Sequence, residues 1–332
     1  MEYDLYNSRE IYDFPPFPSA PLPGMPSRKS LYRVHLLALG DVGSTLATGL
    51  RLMGGDVISA LGICDLREGV PQRWEFELNQ IQGPGEKRFP PVEIVDVDHI
   101  LDCDVFLFCA SRFVPDTAVK SGDVRMAQYE LNRPLAASYG RMAREKGFQG
   151  MFCVVSDPVD QLCRAVLTES SRNEAGEMDE RGLRPGQIRG FGLGVMNARA
   201  MYFARKDSRF ASYLTEGRAF GPHGEGLIIA NSIERYDDAL SRELTELTKR
   251  ANLHMRELGY KPYVAPALSS GALSLLACLR GEWQYSSVYL GGVYFGVKNR
   301  LTEGGCEVEQ LDIPELLADR MRETAAYLRG IE

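Results

Sequence analysis

The sequence predicts an α/β protein in which a doubly wound parallel sheet is followed by a second domain that mixes helices and strands. Three observations carry this prediction. An apolar strand at 32–39 runs through a turn of small residues into a helix, and a second apolar strand follows at 57–64. A continuous apolar run at 105–108 is typical of a parallel strand covered on both faces. Strands also alternate with helices beyond these segments, which predicts βαβ units with ligands at the carboxyl ends of the strands.

The later elements can be read from the periodicity of their apolar residues and from the glycines and prolines between them. In the first half we predict helices at 71–81 and 124–146 and strands at 91–97, 104–109 and 151–155. In the second half we predict a strand at 187–195, a helix at 197–204, a strand pair at 218–229, helices near 234–258 and 266–281, a hairpin at 286–298 and a terminal helix at 314–328.

The first 29 residues are rich in prolines and aromatic side chains. Proline is excluded from helix interiors and central strands, so the segment is predicted to be an extended arm. Phe14 and Phe17 would be unusual on a free tail, which favours packing on this or a neighbouring subunit, while simple disorder stays open. The predicted division is therefore an arm at 1–29, a first domain at 30–157 and a second domain at 158–332.

Bulk properties exclude several classes of protein. With 332 residues the chain is long enough for two ordinary domains. A net charge of -7 argues against a nucleic-acid-binding protein, which normally presents a basic face. The sequence has neither an apolar run of about 18 residues nor a basic leader before an apolar core, so we expect a cytoplasmic protein that does not enter membranes. Seven scattered cysteines, no C-x-x-C pair and four histidines predict no metal site.

The turn between the first strand and its helix has the character of a phosphate-binding loop. Gly40 and Gly43, with Val42 between them, allow a phosphate to approach backbone N–H groups at the N-terminus of the helix. The full pattern is G-x-G-x-x-G, and Ala38 occupies its first position, so the match is partial.

Asp65 ends the second apolar strand. Its spacing from the glycine turn is that of an acid that accepts both hydroxyls of an adenosine ribose. This carboxylate argues for NAD over its 2′-phosphorylated relative, although Arg67 nearby leaves that choice open. The residues at 30–157 are therefore predicted to form a dinucleotide-binding domain.

Several separated segments resemble the lactate/malate dehydrogenase family in their order and rough spacing. They are Ala38-x-Gly40-x-Val42-Gly43, Asp65, the strand 104–111, Arg125 with Asn132, the segment 154–160, Asn197-Ala198-Arg199, Gly221-Pro222-His223-Gly224 and the segment 292–298. The resemblance spans about residues 30 to 330. It implies NAD as cofactor, a small 2-hydroxy acid or 2-oxo acid as substrate, and a homodimer or homotetramer.

The resemblance also implies roles for individual residues. His223 would exchange the hydroxyl proton, because a histidine pKa lies near the working pH. Arg199 would hold the substrate carboxylate with a planar two-point fork, and Arg125 would polarise the substrate carbonyl as a mobile loop closes. Asn132 would lie near the nicotinamide side of the cleft. Each arginine could instead form an ordinary surface ion pair.

The sequence departs from the family at two positions of the site. Met196 replaces the aspartate that would orient the histidine, and Asp157 stands where the family usually has an amide residue. A carboxylate is thus gained where another is lost, so we predict that Asp157 is the partner of His223, with Glu225 as the second candidate. The alternative is that Asp157 caps the helix that follows Pro158.

Substrate choice is expected to depend on Val119 and Lys120 in the mobile loop. An apolar Val119 does not match the second arginine that would pair with a malate-like carboxylate, and Lys120 could replace it only loosely. Additional residues in this loop favour a substrate larger than pyruvate. The predicted function is hydride transfer between NAD(H) and a 2-hydroxy acid, with lactate-like, malate-like and bulkier substrates all open. The alternative is an NAD-binding sensor or inactive subunit, suggested by Met196 and Ala38.

Overall fold

The structure is a computed structural model that describes residues 14–26, 28–85, 87–112, 124–179 and 181–331, with residues 124 and 125 described by their backbone alone. The strands of these residues are β1 (Tyr32–Leu37), β2 (Ile58–Cys64), β3 (Val92–Ile94), β4 (Val105–Phe108), β5 (Met151–Val154), β6 (Ile188–Gly190), β7 (Arg218–Phe220), β8 (Ile228–Ala230), β9 (Gln284–Leu290), β10 (Val293–Thr302) and β11 (Gly305–Val308). The α-helices are α1 (Asp41–Met53), α2 (Val70–Asn79), α3 (Val124–Glu145), α4 (Val159–Ser170), α5 (Leu193–Ala204), α6 (Tyr213–Glu216), α7 (Asp238–Glu257), α8 (Ser274–Arg280) and α9 (Glu315–Arg329), and a π-helical segment, Pro266–Leu273, leads into α8.

Nine of the described strands form one sheet in the order β11-β10-β9-β6-β5-β4-β1-β2-β3. The six strands from β6 to β3 in this order pair in parallel, whereas β9, β10 and β11 extend the sheet in antiparallel register. The order 3-2-1-4-5-6 of the parallel strands is that of a doubly wound nucleotide-binding fold. The predicted fold class is therefore confirmed.

The strand β4 shows why an apolar run predicts a central parallel strand. Val105 and Leu107 are buried in the core cluster that contains β1, β2 and helix α1. Phe106 and Phe108 are buried in the opposite cluster, which contains helices α3 and α4. Because successive side chains of a strand point to opposite faces, helices on both faces require apolar residues at every position.

The segment after β5 differs from the predicted long strand at 187–195. β6 has three residues, and α5 already begins at Leu193. A short apolar run has no periodicity that separates a buried strand from a buried helix, so the sequence alone could not place this boundary. The parallel sheet also continues past residue 157, since β6 pairs with β5. The division into domains at 157 stays a prediction.

Part of the N-terminal arm packs on its own chain. Phe14 and Phe17 are buried, and the rings of Phe14 and Phe295 lie 4.9 Å apart between their centroids in an edge-on arrangement. Leu22 forms a bridge with Cys306 in β11, at the edge of the sheet. The described residues of the arm are thus anchored by aromatic burial rather than by a regular ladder, which their prolines would interrupt.

Candidate functional site

The predicted strand–turn–helix is formed by the end of β1 and the start of α1. Ala38 has φ 75°, the left-handed conformation that glycine adopts easily and that costs other residues about 1–2 kcal/mol. A Cβ atom on Gly43 would lie 1.9 Å from the carbonyl oxygen of Ala38, so the turn requires glycine at position 43. Ala38 thus supplies the backbone shape of the missing first glycine, at a cost in strain.

Gly40 is not required by the protein's own packing. A Cβ atom built on it meets no atom within 4 Å, and its φ of -72° suits any residue. It is the N-cap of α1, beside the first-turn N–H groups that have no partner within a helix. Half-buried Val42 follows in that first turn. The open side of Gly40 therefore suits a phosphate that approaches the helix N-terminus.

Asp41 puts a carboxylate in the same first turn. Lys261 lies 3.2 Å from it, measured from Nζ to Oδ2, so this negative charge is partly compensated. Both side chains are largely exposed, and the pair is screened by water.

Asp65 lies directly after β2 and reaches the same turn. Its Oδ2 accepts the N–H of Leu39 at 2.7 Å. The guanidinium of Arg67 forms a two-point fork with it, with Nε at 2.9 Å from Oδ1 and Nη2 at 2.8 Å from Oδ2. Burial alone would raise the pKa of Asp65, but the hydrogen bonds from Arg67 and Leu39 outweigh it and lower that pKa below its ordinary value.

His223 and Asp157 are brought together from different parts of the chain. His223 lies in the loop between β7 and β8, whereas Asp157 follows β5 and forms a cis peptide bond with Pro158. The Nδ1 atom of His223 lies 3.1 Å from Oδ1 of Asp157. The histidine side chain is 11% exposed and the aspartate side chain 47%. A carboxylate at Nδ1 favours a proton on that nitrogen and leaves Nε2 as the proton acceptor.

The two alternatives for these carboxylates can be compared with the contacts. Glu225, the second candidate partner of His223, forms an ion pair with Lys249 at 2.9 Å. The N-cap of α4 is Pro158, so Asp157 lies one residue before the cap position. Of the two candidate partners, Asp157 is the one in contact with the imidazole.

Asp160 is a site residue that the sequence reasoning missed. It is buried in the first turn of α4, where Oδ2 accepts the backbone N–H of His223 at 3.4 Å and Oδ1 accepts the hydroxyl of Ser287 in β9. Burial, supported by the nearby charge of Asp157, raises the pKa of Asp160 to about 7. The sequence carries one signal for Asp160, which is a charged residue on the buried face of a helix. Such a group normally has a specific partner.

Helix α5 carries the other predicted residues. A Cβ atom on Gly192, its N-cap, would lie 2.9 Å from Cβ of His223, so the helix begins directly against the histidine. Met196 is fully buried one turn later. Arg199 is half-buried, and its Nη1 lies 3.7 Å from the sulfur of Met196. The helix therefore runs from the histidine toward the predicted carboxylate clamp.

Asn132 is buried and forms hydrogen bonds with the segments that follow two neighbouring strands, β4 and β5. Its Nδ2 donates to the carbonyl oxygen of Asp157 at 2.9 Å, and its Oδ1 accepts the N–H of Arg112 at 2.8 Å. These bonds join the segment after β4 to the segment after β5. Asn132 is therefore placed to hold the backbone of Asp157, and its predicted position beside a nicotinamide stays a prediction.

The remaining predicted residues belong to the loop before α3. Arg125 is the second residue of that helix, and its side chain is not among those described. Val119 and Lys120 lie outside the described residues. Their predicted roles in carbonyl polarisation and substrate choice stay predictions.

A cavity of about 470 Å³ opens beside His223. The start of α4, the histidine loop, the second half of α7 and Tyr327 of α9 line it. Lys249 lies on this wall between Glu225 and Glu246, at 2.9 and 3.2 Å. Burial alone would lower the pKa of Lys249, but these two carboxylates raise it. The cavity wall thus mixes charged and apolar side chains, and its lysine is already paired.

Two negative findings concern other kinds of site. Among the described residues, no group of three or more His, Cys, Asp or Glu side chains is arranged to hold a metal ion. Within the same ranges, no helix is both long and apolar enough to cross a membrane.

The chain is similar to known proteins over most of its length. No family model matches the chain. It is 24% identical over 330 residues to the L-lactate dehydrogenase of Bacillus licheniformis, covering 90% of this chain and 95% of that protein. The same enzyme of Bacillus velezensis is 24% identical over 327 residues, with 90% and 96% covered.

Solved structures show the same fold. The minor L-lactate dehydrogenase from Enterococcus mundtii superposes with a TM-score of 0.71 at 20% identity, covering 91% of this chain and 98% of that one. The malate dehydrogenase from Picrophilus torridus gives a TM-score of 0.69 at 15% identity, with 90% and 95% covered.

Proposed function

We propose that the chain is a divergent member of the lactate/malate dehydrogenase family and an NAD-dependent oxidoreductase that interconverts a 2-hydroxy acid and its 2-oxo acid. The observation that carries the proposal is the contact between His223 Nδ1 and Asp157 Oδ1 at 3.1 Å. It restores a carboxylate–imidazole pair in a chain whose Met196 lacks the family's carboxylate.

The proton is assigned to His223. In the oxidation of a 2-hydroxy acid, Nε2 accepts the hydroxyl proton, and in the reverse direction it returns that proton to the new alkoxide. Asp157 keeps Nδ1 protonated and stabilises the imidazolium that forms, which is the role of the buried aspartate in other acid–base pairs. Asp160 holds the backbone of His223 by accepting the N–H of that histidine.

Arg199 is the proposed clamp for the substrate carboxylate. Its guanidinium can bind both carboxylate oxygens in one plane, and its place on α5 fixes it relative to His223. Arg125 is the proposed carbonyl polariser from the loop before α3. Together they would orient the reacting carbon and stabilise its oxyanion character.

The turn after β1 is the proposed site for the cofactor. Gly40, Val42 and Gly43 would receive the pyrophosphate, and Asp65 lies where the adenosine ribose would bind, while Asn132 supports the nicotinamide side through the backbone of Asp157. The dinucleotide supplies hydride transfer at C4 of its nicotinamide when bound. The open side of Gly40 and the helix N-terminus fit such a group.

The hypothesis of an NAD-binding sensor or inactive subunit has less support than the hypothesis of an enzyme. It rested on Met196 and Ala38, yet Asp157 contacts the histidine and Ala38 adopts the left-handed conformation the turn needs. The cavity of about 470 Å³ beside His223 has room for a substrate bulkier than pyruvate. A homodimer or homotetramer stays part of the proposal, as does a cytoplasmic location.

A substitution at Gly40 tests the phosphate site separately from folding. Gly40→Ala places a methyl group in open space, so the free energy of unfolding should change by less than about 1 kcal/mol. The same methyl group would obstruct a pyrophosphate, and overpacking of about 1–3 kcal/mol lowers NADH affinity by about 5- to 150-fold. Urea unfolding and NADH fluorescence titration measure the two effects.

Gly43→Ala is the matched control for that experiment. Its methyl group would meet the carbonyl oxygen of Ala38 at 1.9 Å, so stability and NADH affinity should fall together. An unchanged NADH affinity in Gly40→Ala would contradict the proposed phosphate site.

The experiment that tests the function is NADH oxidation by the purified protein with a panel of 2-oxo acids. The panel contains pyruvate, oxaloacetate, a branched member and an aromatic member. Turnover with at least one of them is expected, and His223→Ala should lower it by about 10²- to 10⁴-fold. His254→Ala, an exposed histidine on α7, should leave turnover unchanged. NADH binding without turnover on any member would favour the inactive-subunit reading.

A further inference from the structure

The ribose subsite has an unusual feature in the contacts of Asp65. An ionised carboxylate offers about four acceptor positions. Oδ1 accepts the backbone N–H of Arg67 at 3.0 Å and its Nε at 2.9 Å. Oδ2 accepts the N–H of Leu39 at 2.7 Å and Nη2 of Arg67 at 2.8 Å. The protein itself therefore occupies all four positions.

Because all four acceptor positions of Asp65 are occupied, a bound ribose has no free acceptor on this carboxylate. An adenosine ribose with free hydroxyls needs two acceptor positions on the acid. It gains them only by displacing the guanidinium of Arg67, which is a charge-assisted two-point contact. The affinity for NAD(H) is therefore reduced by the free energy needed to open the pair.

The same pair also changes the charge of the subsite. A free aspartate repels the 2′-phosphate of NADP(H), whereas an arginine close by accommodates it. Here the Asp65 side chain is 6% exposed and the Arg67 side chain 63%, so the guanidinium faces solvent in front of the acid. The subsite therefore presents the guanidinium to solvent, rather than the carboxylate.

The position of the pair ties it to the phosphate turn. Leu39, whose N–H binds Asp65, directly precedes Gly40 with its open side. The guanidinium therefore lies at the ribose end of the predicted cofactor path. Its neighbour Glu68 is exposed, so it adds only a screened negative charge.

We propose that Arg67 is the residue that determines cofactor preference, and that through it the ribose subsite accepts the 2′-phosphorylated dinucleotide NADP(H) alongside NAD(H). Arg67 competes with the ribose hydroxyls of NAD(H) for Asp65 and contacts the 2′-phosphate of NADP(H). The inference rests on the proposed function only in requiring a nicotinamide dinucleotide at this turn.

The test is a fluorescence titration of the full-length protein with NADH and with NADPH, without any substrate. We expect the two dissociation constants of the wild type to lie within about tenfold of each other. Arg67→Ala removes a charge-assisted contact, so NADPH should bind about tenfold or more weakly, while NADH binds equally or more tightly. Arg73→Ala, an exposed arginine of α2, is the matched control and should change neither constant.

A second variant keeps the arginine and removes the repelling charge. Asp65→Asn can still accept the N–H of Leu39, and it should shift the preference further toward NADPH. Circular dichroism and thermal unfolding of each variant show that it is folded.

The outcomes separate this proposal from the function it extends. If NADH binds and Arg67→Ala leaves the ratio of the two dissociation constants unchanged, the role of Arg67 is overturned and the dehydrogenase proposal stands. A wild type that binds NADH but not NADPH also overturns it. If the wild type binds neither nucleotide, the proposed function itself fails.

Discussion

Replacing Asp157 with asparagine is expected to lower turnover by about 10²- to 10⁴-fold while NADH affinity stays unchanged. The carboxylate touches Nδ1 of His223 at 3.1 Å. Asparagine keeps the size of the side chain and removes the charge that stabilises the imidazolium. Steady-state kinetics with the best 2-oxo acid and an NADH titration measure the two quantities.

The family pattern supplies a rescue experiment for this prediction. Adding Met196→Asp to the Asp157→Asn variant moves the carboxylate to the position the family uses, on helix α5 beside the histidine. We expect part of the lost turnover to return, because either position can supply the charge. A merely structural Asp157 would show no such rescue.

A second aspartate–histidine contact provides the matched control. Asp102 lies 3.8 Å from His99, and both side chains are about two-thirds exposed. Asp102→Asn should leave kcat and KM unchanged. Unchanged turnover in Asp157→Asn as well would remove Asp157 from the mechanism.

Replacing Arg199 with lysine is expected to lower kcat/KM by about 10- to 10²-fold, since a charge-assisted hydrogen bond lost from the fork is worth about 1.5–3 kcal/mol. Lysine keeps the positive charge but cannot form the planar two-point fork. If the fork binds the ground state and the transition state equally, the loss will appear in KM. A fall in kcat instead would show that the clamp also orients the reacting carbon.

An arginine at the end of the same helix is the control for that variant. Arg205 is exposed beyond the last turn of α5, and Arg205→Lys should leave kcat/KM unchanged. Equal effects of the two substitutions would contradict a specific role for the fork of Arg199.

The central strand and the glycine turn could be predicted from the sequence, because both depend on residues that are close together in the chain. The run Val105–Phe108 predicted a strand buried on both faces because its side chains alternate between two cores. The glycine turn was predictable for the same reason, since the approach of Gly43 to Ala38 is a contact over five residues. The loss of a carboxylate at Met196 and its gain at Asp157 also predicted a contact between Asp157 and His223, and these two side chains lie 3.1 Å apart.

Tertiary structure alone decided which distant groups meet. Asp160 and Ser287 are 127 residues apart in the chain, yet they form a hydrogen bond, and the same carboxylate accepts the N–H of His223. The fork of Arg67 on Asp65 joins residues that are two apart in the chain. The hydrogen bond from Leu39 to Asp65 instead spans 26 residues. Only these contacts together occupy all the acceptor positions of the carboxylate. Periodicity reports which face of an element is buried. Which polar atoms share that buried space depends on how the elements pack, and no local pattern contains that information.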